Sequence, residues 1–320
     1  CILYNFERYE EACEAWEKTI REIPFAPAYR NLALGYYDHL SHPRKARYCM
    51  EKARELMPES DRIFYELTRL YTALNLPLAQ RLRLFEEEKD VDRDDCVLNY
   101  SILRTVNGEY ERAERLLNAH RFHTYEGGEG YLTQHHAWMK YLCARKFLCE
   151  GKREKAIQKA EEGLVIPENY GEEKNWFVND APLYTILAEC TDDAEQKKKY
   201  LRLAVSSKGS PTIHSFFTCR AWDMLGEKER AKRLAEEMCE LGREKIENAA
   251  TDDYFGVGAP TYPPFGYDVE KAHKLSGFAL CAFGKLASGD RFAAETYAEK
   301  MKEIDEADFS LYLLERELYD

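Results

Sequence analysis

The chain has 320 residues, 45% of them hydrophobic and 32% charged, with only 17 glycines and 11 prolines. That length suits two average globular domains or one long repeat array, and the wealth of Ala, Leu, Glu, Lys and Arg favours helix. A net charge of −12 argues against a sequence-independent nucleic-acid binder, which needs a basic surface to displace counterions.

In chain order, a half repeat is expected at 1–24, followed by helix pairs near 27–58, 61–91 and 94–122. A Gly/Glu loop follows at 123–130, then pairs near 131–167, 181–207 and 211–248. An aromatic and proline-rich loop at 251–266 precedes a last pair and tail over 267–320. These parts are read as one continuous solenoid, with helix pairs at 1–122 and 131–250 and a C-terminal pair beyond. The pair at 181–207 is the least clear, because its turn holds Asp192 and Asp193 in place of glycine.

The internal echo carries this reading. Ala12, Trp16, Thr19 and Pro24 return 34 residues later as Ala46, Met50, Ala53 and Pro58. Ala33 and Tyr37 return as Leu67 and Tyr71. A small residue where two helices touch, a large one beside it and a proline ending the second helix make a tetratricopeptide-type pattern. Gly108, Gly151, Gly226 and Gly289 each precede an alanine by five residues: Ala113, Ala156, Ala231 and Ala294. Such a glycine closes the first helix in a left-handed conformation. The expected fold is therefore an all-α solenoid of six to seven antiparallel helix pairs.

Ten cysteines, none in a CxxC, fall mostly in apolar helical stripes. They read as reduced thiols in a cytoplasmic protein. No apolar run approaches the ~20 residues that cross a bilayer. The chain opens at Cys1 inside a helical motif, without an initiator Met, and is expected to be cut from a longer protein.

The segments RFHTYEGGEG (121–130), YELTRLYTALNLPLAQRLRLFEE (65–87) and Asp253-Tyr254-Phe255 resemble the C-terminal region of a family of large bacterial proteins. Those proteins join a β-rich N-terminal domain of unknown function to a tetratricopeptide array. The resemblance runs over about 27–300, and the chain departs from it after Phe255, where it reads GVGAPTYPPFGYD. The resemblance implies a carbohydrate connection for the parent protein. It also implies that this array could form one wall of a sugar-processing site completed by an upstream region.

Chemistry is sparse. The chain has no Walker A loop, GxSxG or HExxH. His120, His123, His135, His136, Glu126 and Glu129 could converge on a metal, but polar loop and cap groups are the simpler expectation, so no metal or cofactor is assigned. Glu126 and Glu129 could serve as an acid/base pair, but helix capping near Tyr131 explains them better. No catalytic residue is assigned, and the chain alone is expected not to be an enzyme. The sharper lead is an aromatic followed four residues later by arginine: Tyr65 and Arg69, Tyr141 and Arg145, Phe216 and Arg220. Residues four apart share a helix face, and in this fold those positions face inward. The stripe could bind an anionic or polyhydroxylated ligand or a protein partner, or the arginines could tie neighbouring repeats. His123, Tyr125, Glu126, Glu129, Tyr254 and Phe255 join it as loop candidates. The expected function is a docking scaffold for a protein or for the parent's own N-terminal domain, without nucleic acid or membrane.

Overall fold

The computed structural model describes residues 2–88, 90–123, 128–174, 178–206, 209–248, 264–265 and 268–319. The described residues form helices packed in consecutive pairs, with no strand among them. They fall into two compact units, 1–96 with 259–268 and 97–258 with 269–320.

The first unit holds α1 (Ile2–Asn5), α2 (Tyr9–Glu22), α3 (Ala26–Leu34), α4 (Pro43–Leu56), α5 (Asp61–Ala73) and α6 (Leu78–Glu86). A π-helical turn at Gly35–His39 extends α3. Prolines at the first turns of α3 and α4 suit helix starts, because the missing N–H has no helical partner there. Ser60 caps α5, its hydroxyl accepting from the Ile63 amide at 3.3 Å. The echoed alanines Ala12, Ala46 and Ala53 are buried where helices cross, beside Met50, Leu67 and Leu70. Phe265 enters the same core and meets Tyr37 edge-on at 6.1 Å.

The division falls within α7 (Asp94–Val106). The second unit continues through α8 (Tyr110–Ala119), α9 (Tyr131–Cys149), α10 (Arg153–Gly163), α11 (Ala181–Cys190) and α12 (Ala194–Ala204). It closes with α13 (Ser215–Met224), α14 (Lys228–Glu247), α15 (Val269–Ala287), α16 (Arg291–Ile304) and α17 (Phe309–Tyr319). The four turn glycines all adopt positive φ, between 73° and 83°, as the Gly–Ala spacing predicts. Ala113, Ala156 and Ala294 are fully buried behind those turns, whereas Ala231 is only partly so. The least clear pair exists as α11 and α12. Asp193 replaces the glycine device, its carboxylate accepting from the amides of Glu195 (2.9 Å) and Gln196 (3.0 Å) as an N-cap.

Helices α14 and α15 approach unusually closely because their contact is made of glycine and cysteine. A Cβ built on Gly277 would lie 2.7 Å from the Gly242 carbonyl oxygen, so only glycine fits. Across the same seam, the Cys239 and Cys281 thiols each donate to the other's backbone carbonyl, at 3.8 and 3.6 Å. Nine described cysteines are unpaired, and eight of them are buried. Burial pushes thiols such as Cys143 (to about 11) and Cys219 (to about 12) upward, so they act as inert apolar groups.

The described residues that follow α8 meet those that follow α10. Asn169 donates to the carbonyls of Leu117 (2.8 Å) and His120 (2.6 Å), which end α8. Phe122 returns a backbone bond to Asn169 at 2.9 Å, and the Gly130 amide donates to Glu172 at 3.0 Å. Orphan helix-end carbonyls are thus satisfied by a side chain 49 to 52 residues away. The buried Lys140 ammonium links α8, α9 and α10 through Glu114 and Glu162, both at 2.5 Å.

Candidate partner-binding face

The second unit is organised around α9. Twelve of its 19 residues are buried, including Leu132, His136, Tyr141 and Ala144. A helix that is buried all round must be covered on every side. On one side lie α10 and α11, and on another lies α17. The segment FSLYLLERELY folds as a helix whose Leu311, Leu313, Leu314 and Leu318 are buried. Asp308 starts it, its carboxylate accepting from the Leu311 amide at 2.9 Å.

Helix α17 touches α8, α9 and α13. The Phe309 ring sits 6.0 Å from His135 and 6.1 Å from Trp138. The Tyr312 hydroxyl shares a 2.6 Å hydrogen bond with Tyr110. Five residues further, Glu317 receives the inner stripe. The Tyr141 hydroxyl donates to its Oε1 at 2.5 Å, while Arg145 and Arg220 each place Nη1 3.3 Å from its Oε2. Arg220 also pairs with Glu189 at 2.8 Å. Phe309 and Tyr312 are three apart and share a face, whereas Glu317 lies about 140° around α17 from Tyr312, so the contacts spread over a broad side of the helix.

The electrostatics show which effect wins. Burial raises the Glu317 carboxyl, and Arg145, Tyr141 and Arg220 pull it back only in part, so it stays raised. Burial would lower the Arg145 guanidinium, but Tyr141 and Glu317 more than offset that and hold it raised. Burial and the neighbouring Glu317 push the Tyr141 phenol well above its usual value. Desolvation outweighs attraction at Glu317 and is outweighed by it at Arg145, so the group is a buried ion cluster whose members depend on one another.

Two of the three predicted aromatic–Arg pairs thus converge on one carboxylate. Their shared partner is the C-terminal helix, and Arg220 also ties to Glu189 on α11 of the adjacent pair. Phe216 departs from the expectation of an open stripe: it is 8% exposed, wedged between Phe217 (5.0 Å) and Phe283 (5.6 Å) in the core.

In the first unit, Tyr65 and Arg69 lie one turn apart on α5, both half-buried. The neighbouring Glu66 is buried and takes two bonds of 2.6 Å from Arg30. The Arg93 guanidinium stacks 4.6 Å from the Tyr65 ring. Burial raises the Tyr65 phenol, with Arg69 opposing. The Arg69 Nε is buried without a hydrogen-bond partner.

No family model matches the chain. Its backbone is similar to a solved structure of Naa15/Naa10 bound to HypK-THB, at a TM-score of 0.37 and 12% identity. The match covers 97% of this chain and 58% of that one, so this chain spans less than two thirds of that chain's length. The all-helical, paired architecture is established by the helices themselves.

Of the loop candidates, Tyr125, Glu126, Tyr254 and Phe255 lie outside the described residues. His123 and Glu129 are exposed. The adjacent His135 and His136 diverge around α9. His135 Nε2 meets the Ser101 hydroxyl at 3.0 Å, and His136 meets the Tyr170 hydroxyl at 3.0 Å. Among the described residues no group of three His, Cys, Asp or Glu could hold a metal, and no helix is long and apolar enough to cross a membrane.

Proposed function

We propose that this chain is a helical-repeat docking scaffold for a protein partner, and that it takes an amphipathic helix carrying a carboxylate. One observation carries the reading. In the second unit the inner aromatic–Arg positions hold α17, the chain's own helix, through Glu317 on Tyr141, Arg145 and Arg220. This is helix-in-groove recognition, with anchors at helical spacing and a charge-assisted bond fixing register. Tyr65 and Arg69 occupy the matching positions of the first unit, where the buried Arg69 Nε has no partner. They are the place for the partner's acidic side chain. The chain alone carries out no hydrolysis in this reading.

A photo-crosslinking residue such as benzoylphenylalanine placed at Arg69 tests it in cells. One protein should be captured there, with the crosslink mapping to a helix that bears Asp or Glu. The same probe at Glu14, exposed on α2, should not capture it. An Arg69→Glu substitution should weaken the interaction by at least about tenfold, the worth of a charge-assisted hydrogen bond. Capture of the same proteins at both positions, or full binding by Arg69→Glu, would refute the reading.

A further inference from the structure

A cavity of about 680 Å³ opens within the second unit, between the start of α13, the facing sides of α14 and α15, and the start of α17. His214 is 8% exposed and lines the cavity, yet its Nε2 has no hydrogen-bond partner. The other ring nitrogen lies 3.2 Å from the Thr212 hydroxyl, and the ring stacks on Trp138 at 4.3 Å. Burial drives the imidazole down to about 3, so it is neutral at physiological pH. When Nδ1 accepts from Thr212, Nε2 carries the hydrogen and points a donor at the cavity. The Gln134 side-chain nitrogen is a second buried donor without a partner. A buried donor left unmade costs free energy, and such groups mark where a ligand or solvent completes the site.

Two opposite charges line the same cavity. Lys245 bonds the Ser276 hydroxyl at 3.2 Å, and its ammonium keeps further donor capacity. Asp308 lines the cavity too, its carboxylate accepting from the Leu311 amide at 2.9 Å and from Ser310, and each oxygen of an ionised carboxylate can accept a further bond. Leu275 and Leu280 supply an apolar wall. Donors from His214, Gln134 and Lys245 suit a carboxylate, Asp308 suits an ammonium group, and the leucines suit an aliphatic side chain.

We infer that this cavity binds a small aliphatic zwitterion of the free amino-acid class. The carboxylate is held by His214, Gln134 and Lys245, and the ammonium group by Asp308. The site is separate from the docking face, because none of its lining residues belongs to the Tyr141–Arg145–Arg220–Glu317 cluster.

Calorimetric titration of the full chain with L-leucine tests this, beside isocaproate, which lacks the amine, and isoamylamine, which lacks the carboxylate. L-leucine should bind, and each analogue should bind at least about tenfold more weakly, as loss of one charge-assisted contact demands. Asp308→Asn keeps the helix cap but removes the charge. It should weaken L-leucine by a similar factor and leave isocaproate unchanged. Lys245→Met should do the converse, sparing isoamylamine. Circular dichroism and the melting temperature establish that both variants are folded. Absence of L-leucine binding to the folded wild-type chain overturns the assignment. So does equal binding of leucine and isocaproate, or binding indifferent to both substitutions.

Discussion

Replacing Glu317 with alanine should destabilise the second unit by about 3–5 kcal/mol, the cost of leaving a buried charge without its partner. The Glu317 side chain is 1% exposed and that of Arg145 13%, so water cannot take over the lost contacts. The loss should appear as a lowered denaturant midpoint together with faster proteolysis within 307–319. A different outcome is expected when the whole cluster is made apolar. The triple variant Glu317→Met, Arg145→Leu, Arg220→Leu removes the desolvation cost along with the attraction. Such replacements are often neutral or stabilising by ~1–4 kcal/mol. Equal losses in the single and triple variants would mean that the cluster stabilises the fold outright, against the raised Glu317 carboxyl.

Acid should destabilise the second unit well above the pH at which ordinary carboxylates protonate. Burial pushes His135 down to about 3, His136 to about 4 and His214 to about 3. In an unfolded chain each would bind a proton near pH 6.5. Below that pH the unfolded state holds more protons than the folded one, so stability present at neutral pH is lost as pH falls. Each histidine withdraws on the order of 3 kcal/mol between about pH 6.5 and 4. Asp308, raised by burial to about 6, works the other way, and so does Glu317, also raised by burial. Asp308 offsets roughly one histidine. The melting temperature should therefore fall steadily from pH 7 to pH 4.5, and His135→Gln should flatten that slope. A melting temperature constant across this range would contradict the burial of these rings in their neutral form.

The pairs were legible in the sequence because their devices are local. A glycine five residues before an alanine encodes both the turn and the close contact behind it, and the four turns adopt positive φ. The pair α11–α12 is the least clear in the sequence because Asp193 does by capping what glycine does elsewhere. The inner stripe was legible only as chemistry. Arg145 and Arg220 stood out as cations at matching positions, but their partner Glu317 looks like any surface glutamate in the run LLERELY. Its distances of 97 residues from Arg220 and 176 from Tyr141 leave no spacing to read. The one available signal was that Phe309, Leu313 and Glu317 recur four residues apart on a helical face beyond the last repeat. Adjacent residues on a helix point about 100° apart, so His135 and His136 face two different neighbours, Ser101 and Tyr170.

The claim that the aromatic–Arg face is a receptor for a carboxylate-bearing helix is tested most directly on α17 itself. A protease site inserted between Ile304 and Phe309 allows the folded chain to be cut without removing the helix. A fluorescent peptide of residues 307–320 is then added, and its anisotropy is followed as it exchanges with the cleaved segment. The account predicts that the segment stays bound after cleavage and that the peptide exchanges in at one site. It also predicts that a Glu317→Ala peptide competes at least about tenfold more weakly. Departure of the segment with no peptide uptake, while helical content is unchanged, would contradict it, as would equal competition by the alanine peptide.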